Sequence, residues 1–243
     1  MRTAFAGLAA ALLLTGCAAL PPGERDPRDR FERMNRSVYR FNDALDRGIA
    51  KPVATAYVKV TPQPIRTGVS NFFANLTYPA TMANDLLQGK LRHFARDTTR
   101  FVVNTTLGIG GLFDPATRMK LAAHKEDFGQ TLGRWGVPAG PYLVLPILGS
   151  STVRDSFGDL ADEFVDAKNY IKDQRVRYGL WALDMVDRRA GLLSAGNVLE
   201  KSYDPYVFIR NAYLERRAYL IRDGVTTGDE VEIIDTGDDS AGE

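Results

Sequence analysis

The chain has 243 residues, 44% hydrophobic and 25% charged, with a formal net charge of +1; this is globular composition, long enough for one large domain or two small ones, and one fits better. Its single cysteine, Cys17, excludes internal disulfides and thiol-based metal clusters, and the two histidines, His93 and His124, leave little for acid–base catalysis near neutral pH. The small net charge hides an asymmetry: residues 224–243 hold seven acidic residues and no Lys or Arg, so the remainder is mildly basic.

The first element is Arg2, an uncharged apolar run from Thr3 to Leu14, and then Leu14-Thr15-Gly16-Cys17. The run is too short to cross hydrocarbon, which needs roughly 20 apolar residues, so residues 1–16 read as a signal peptide. Leu-Thr-Gly-Cys resembles the bacterial lipobox and predicts cleavage before Cys17 with lipid attached to it. Ala18, standing where Asp would retain the product in the inner membrane, resembles the sorting signal for the outer membrane. The product is then lipid-anchored to the cell outer membrane on its periplasmic side. Export excludes nucleic acid as a partner, and a basic body suits anionic lipid head groups.

Residues 17–29, with Pro21, Pro22 and Pro27, read as a short lipidated linker, and residues 30–223 as the folded body. Phe31, Met34, Val38, Phe41 and Leu45 recur at 3, 4, 3, 4 and predict an amphipathic helix. Val69, Phe72, Phe73 and Leu76 predict a shorter one, and Pro79 to Leu87 predicts another, opened by Pro at its first position and closed by Gly89. Phe94, Phe101, Val102 and Thr105 continue the period to Gly108, and Asp114-Pro115 caps a further short helix. Two longer helices follow, one through Val176, Leu180, Leu183, Val186, Ala190 and Leu193, the other from Asp204-Pro205 through Ile209, Tyr213 and Leu220. Alternating strand patterns are scarce, so the fold class is mainly α. The acidic residues 224–243 read as a disordered tail.

Val137 to Val153 is the exception, seventeen residues without a charge. Pro138, Pro141 and Pro146 forbid a regular helix there, and irregular backbone cannot face lipid with its polar groups unpaired. The segment is a loop or hairpin held against protein, either buried as core or lining a cavity. In the second case Tyr142, Leu143, Leu145, Pro146, Ile147, Leu148 and Gly149 form a gate, with the glycines giving mobility.

Motifs for chemistry are few. Neither histidine has metal-ligand spacing, and each reads as an ordinary helix or loop residue. There is no G-x-S-x-G elbow, no Walker A loop and no dinucleotide fingerprint, because Gly108-Ile109-Gly110-Gly111 has the wrong spacing. No catalytic residue, cofactor or metal site is assigned, and the chain reads as a non-enzyme. Asp155, Asp159, Asp162 and Asp166 recur at 4, 3, 4 on one helical face. They fit either a hard-cation site or, in the simpler reading, a solvated face with Asp155 favoured by the helix N-terminus.

Together several short stretches resemble the MlaA (VacJ) lipoprotein family over about residues 28–222. They are Phe31-Glu32-Arg33-Met34-Asn35-Arg36, Phe41-Asn42-Asp43, Lys51-Pro52-Val53-Ala54 and Pro62-Gln63-Pro64, then Leu87-Gln88-Gly89 and Arg100-Phe101 with Asn104-Thr105. Phe128-Gly129-Gln130-Thr131-Leu132-Gly133, Gly140-Pro141-Tyr142, Leu145-Pro146 through Arg154-Asp155, and Ser202-Tyr203-Asp204-Pro205-Tyr206 follow in the same order. The resemblance implies a single domain of amphipathic helices forming a ring with a central amphipathic channel in the inner leaflet of the outer membrane. It further implies removal of mislocalised phospholipid from the outer leaflet, delivery to the periplasmic lipid carrier MlaC, association with outer-membrane porin trimers, and no catalysis. The competing readings are a lipoprotein that scaffolds porins or envelope assembly without moving lipid, and a phospholipase, which would need an activated nucleophile and base.

Overall fold

A computed structural model describes residues 26–194, 196, 199 and 201–224; the signal peptide, Cys17 and all of the acidic tail beyond Gly224 lie outside the described residues. Helix α1 (Glu32–Leu45) runs through a π-helical turn, Asp46–Ala50, into α2 (Lys51–Val60). In that wider turn Lys51 N donates five residues back to Asp46 O, immediately ahead of Pro52, which has no N–H to offer. The chain continues through α3 (Gln63–Leu87), α4 (Leu91–Thr106), the short α5 (Pro115–Arg118) and α6 (Phe128–Arg134). An antiparallel hairpin of β1 (Tyr142–Leu145) and β2 (Gly149–Thr152) follows, pairing Tyr142 with Thr152 and Leu145 with Gly149. Then come α7 (Val153–Asp162), a 3₁₀ turn at Ala167–Tyr170, α8 (Gln174–Gly191) and α9 (Pro205–Ile221).

The domain is mainly helical with one small sheet, as the apolar periodicity predicts, and Asp114 and Asp204 cap α5 and α9 with their carboxylates. Two expectations are corrected. Pro79 does not open a helix: it lies inside the 25-residue α3, which joins the two predicted segments into one. One missing N–H and the clash with the preceding turn are offset by packing, because α3 and α4 lie against each other as an antiparallel hairpin. The packed body also starts before residue 30. Asp29 is buried and accepts from Asn35 Nδ2 and Arg210 Nη1, and Arg28 O accepts from Tyr142 N at 2.8 Å.

The packing contacts close on themselves. Helix α1 packs on β1, β2 on α7, α7 on α6, α6 on α3, α3 on α8 and α8 on α2, and α2 is continuous with α1. Polarity is inverted along this circuit. The largest fully enclosed side chains include Arg100, Gln130, Asn35, Asn84, Asp85 and Asp97. Large apolar side chains stand outside, among them Phe164 (80% exposed), Val60 (78%), Leu148 (72%) and Leu107 (71%). Water-soluble domains distribute these types the other way, and apolar exposure on this scale marks a membrane or partner surface. Among the described residues no helix is long and apolar enough to cross a membrane.

Candidate functional site

The uncharged segment is held by two asparagines seven residues apart on one face of α1. Asn35 Nδ2 donates to Tyr142 O at 2.9 Å while its Oδ1 accepts from Val144 N at 2.9 Å. Asn42 Nδ2 donates to Leu145 O at 2.9 Å and its Oδ1 accepts from Ile147 N at 2.8 Å. The two carboxamides thus supply the bonds that a neighbouring strand would have given to the open edge of β1. Tyr142 and Val144 turn into a small apolar core with Val38 and Tyr206. Leu143 and Leu145 on the opposite face are half-exposed, and the tip residues Pro146, Ile147 and Leu148 are exposed. Ile147 has φ +69°, a left-handed conformation unfavourable for a β-branched residue, and Gly149 has φ +86°.

The aspartate face is only partly solvated. Helix α7 ends at Asp162, so Asp166 lies beyond it and caps the 3₁₀ turn. Asp155 is buried: Arg217 Nη2 donates to its Oδ1 at 2.8 Å, Arg154 Nη2 to the same oxygen at 2.9 Å, and Tyr213 OH to its Oδ2 at 2.8 Å. Burial alone would raise this carboxyl, but these donors hold it down to about 2. Asp162 accepts from Asn84 Nδ2 and Phe128 N, pinning α7 to α3 and α6. Asp155 and Asp162 thus serve as anchors for neighbouring elements.

Asp159 and Lys125 act on each other electrostatically. Both are exposed to water, yet burial pushes the Asp159 carboxyl up to about 6, helped by Asp127, Asp162 and Asp155, and pushes the Lys125 ammonium down. The charges acting on Lys125 come from Arg188 and Asp184 on α8 and from Asp127 and Asp159. An apolar cleft of about 270 Å³ lies elsewhere on the circuit, lined by Val69 and Phe72 of α3, Ile109 and Leu112, and Leu180 and Leu183 of α8.

The histidines are drawn together. His93 and His124 pack edge to face with ring centroids 4.4 Å apart. His124 Nδ1 is 3.0 Å from Asp97 Oδ2 and 3.7 Å from Asp85 Oδ1, and its Nε2 is 3.0 Å from Glu126 Oε1. Despite burial, those carboxylates raise His124 to about 9, while burial lifts Asp85 to about 7 against the opposing charge of His124.

The profile described as MlaA lipoprotein matches residues 27–220. The chain belongs to the MlaA lipoprotein family. It is 40% identical over 216 residues to the intermembrane phospholipid transport system lipoprotein MlaA of Escherichia coli (strain K12), covering 87% of this chain and 86% of that one. It is 34% identical to the Haemophilus influenzae protein of the same name, covering 92% of each. A solved chain from work on the structural basis for maintenance of bacterial outer membrane lipid asymmetry superposes with a TM-score of 0.72 at 39% identity. It covers 81% of this chain and 100% of its own length.

Six residues that carry the MlaA resemblance, Asn35, Asn42, Gln88, Asn104, Arg154 and Asp155, turn out to be polar fasteners of the frame. Gln88 Nε2 donates to Glu126 at 2.8 Å and to Thr131 at 3.1 Å. Asn104 Nδ2 donates to Asp114 at 3.0 Å and its Oδ1 accepts from Ala116 N at 3.1 Å. Pro141 O accepts from Val153 N, and Gly140 closely faces the Val153 side chain, closing the base of the hairpin. Gly129 sits where a Cβ would run into Arg217 and Asp155. Gly89, at φ +71°, turns the chain between α3 and α4, and Phe128 stacks edge to face on Trp135. Phe41 and Pro52 are exposed instead. The charges gathered around Lys125 and the pairing of His93 with His124 were not foreseen. Their members are far apart in sequence, and only the four-residue spacing of His93 and Asp97 was there to be read.

Proposed function

We propose that this protein is an outer-membrane lipoprotein that takes mislocalised phospholipid from the outer leaflet through a path enclosed by the helical circuit. It hands the lipid to a soluble periplasmic carrier of the MlaC kind. The observation that carries this reading is the inverted polarity: exposed Phe, Leu and Val around a circuit whose enclosed side chains include Arg, Asn, Asp and Gln in unusual number. Apolar outer faces on helices that do not span suit a body lying within one leaflet, with lipid on Cys17 as its tether and porin trimers as neighbours, as the family resemblance implies. The apolar cleft offers acyl tails a wall, and Lys125 and Arg188, close enough to act on each other electrostatically, offer cations to a phosphate. The exposed tip Pro146-Ile147-Leu148 gates the path.

The test is reconstitution of the full chain in vesicles carrying labelled phospholipid in the leaflet opposite its anchor, with a soluble acceptor outside. Intact phospholipid on the acceptor is expected. Lyso-lipid would reveal an enzyme, and lipid that stays in place with the protein folded would leave a scaffold.

A further inference from the structure

We propose that Asp85, His93 and His124, with Asp97 beside them, bind a divalent transition-metal ion of the Zn²⁺ class. Asp85 lies in the last turn of α3, His93 and Asp97 one turn apart on one face of α4, and His124 in the segment between α5 and α6. One potential ligand atom from each of Asp85, His93 and His124 falls within 4.8 Å of the others. Ligands on a tetrahedral Zn²⁺ with bonds near 2.0–2.1 Å stand about 3.3 Å apart, so small side-chain rotations close the set.

Two further observations point to a cation. Asp85 is completely buried and neither of its carboxylate oxygens has a hydrogen-bond partner, and Asp97 Oδ1 and His93 Nδ1 also lack one. Buried polar groups are ordinarily satisfied, and an ion among these atoms would satisfy several at once. The other side of His124 is already arranged as a metal ligand's is. Its Nε2 faces Glu126, which is itself fixed by Lys90 Nζ at 2.7 Å and Gln88 Nε2 at 2.8 Å. With Nε2–H held by a carboxylate, Nδ1 is the nitrogen left to face Asp85 and Asp97, the outer arrangement that orients metal-binding histidines.

The donor chemistry selects the ion class. Imidazole nitrogens mixed with carboxylates suit Zn²⁺ and its neighbours, whereas Ca²⁺ and Mg²⁺ prefer oxygen throughout. In the metal-free protein the short contact from His124 Nδ1 to Asp97 Oδ2 is bridged by a proton. Binding exchanges it: the ion bonds Nδ1 and the proton leaves to solvent. The ion would fasten the α3–α4 turn to the segment that leads into Lys125. The inference does not depend on the transport reading.

The test uses the untagged full chain in detergent, stripped with EDTA and titrated calorimetrically with Zn²⁺ alone in two buffers of different ionisation enthalpy, with Co²⁺ absorption as a second readout. One Zn²⁺ per chain, proton release, a raised melting temperature and a Co²⁺ spectrum of low coordination number are expected. Asp85→Asn and His93→Gln should each lose at least tenfold in affinity while staying folded without metal; Asp85→Asn keeps the shape of a side chain whose oxygens have no hydrogen-bond partner. Absence of saturable Zn²⁺ binding to the folded wild type overturns the proposal, as does unchanged affinity in both variants.

Discussion

Arg217 of α9 donates to Asp127, just ahead of α6, at 2.6 and 2.9 Å, and to Asp155, in the first turn of α7, at 2.8 and 3.1 Å. One guanidinium therefore joins three elements of the circuit, and its fork geometry suits two carboxylates in a way that lysine could not. Gly129 leaves the space for it, since a Cβ there would lie 2.4 Å from Arg217 Nη2.

An acid dependence follows from that contact. Asp155 is held at about 2 in the folded protein against 3.8 for a free aspartate. Its contribution, on the order of 2 kcal/mol, is complete above about pH 4 and is lost as the pH falls through 2. Asp155→Asn is expected to melt below wild type at neutral pH, with the gap narrowing between pH 4 and pH 2. A gap that stays constant over that range would show that Arg217 does not set the charge on Asp155.

Helices α6 and α7 cross at a point with no room for a side chain. A Cβ on Gly158 would stand 2.3 Å from Gly129 N and 2.6 Å from Gly129 Cα, both of them backbone that cannot swing away. Gly158→Ala must push the helices apart and disturb Arg217, Asp127 and Asp155 together. A loss of roughly 2–4 kcal/mol is expected, read as a lowered melting temperature in detergent. Gly179→Ala, where nothing lies within 4 Å, is the control and should be neutral or slightly stabilising.

The asparagines of α1 should control the hairpin separately. Asn35→Ala removes the acceptor for Val144 N and the donor to Tyr142 O in a fully buried place, at about 2–4 kcal/mol. Asn42→Ala frees Ile147 N and Leu145 O near the surface and should cost about 1 kcal/mol. Amide exchange is the measurement: Val144 quickens in the first variant and Ile147 in the second. Equal quickening of both amides in either variant would mean that the hairpin opens as one unit and that the two clamps are not independent.

Those clamps also mark the limit of what the sequence discloses. Helix periods and the Asp114-Pro115 and Asp204-Pro205 caps are local, and both caps appear at their places. The π turn before Pro52 and the passage of α3 through Pro79 depend on packing between distant segments, which no window along the chain contains. Acidic spacing in α7 suggested a solvated face because charged residues usually sit in water. The partners that bury Asp155 come from α9, some sixty residues later. A polar interior also weakens the ordinary guide to burial, since apolar residues such as Phe164, Val60 and Leu107 stand outside.

The hairpin tip provides the sharpest separation of core from gate. Tyr142 and Val144 are in the apolar core, so substitutions there report on folding alone. Ile147 is 43% exposed and Leu145 half-exposed, so an aspartate at either can reach water and escape most of the penalty of a buried charge. Ile147→Asp is expected to melt within a few degrees of wild type, and Leu145→Asp somewhat lower. If lipid tails pass over this face, both variants fail to remove phospholipid from the outer leaflet, because the charge meets hydrocarbon whenever the path is loaded. Gly149→Val acts differently: φ +86° is unfavourable for a β-branched residue although nothing lies within 4 Å of the new Cβ. The tip must then move away from Asn42, and transport should fall with folding largely kept. Thermal stability and outer-leaflet phospholipid content, measured for all three, settle the matter. Wild-type transport by three folded variants rules out a gate, and unfolding of all three assigns the whole hairpin to the core.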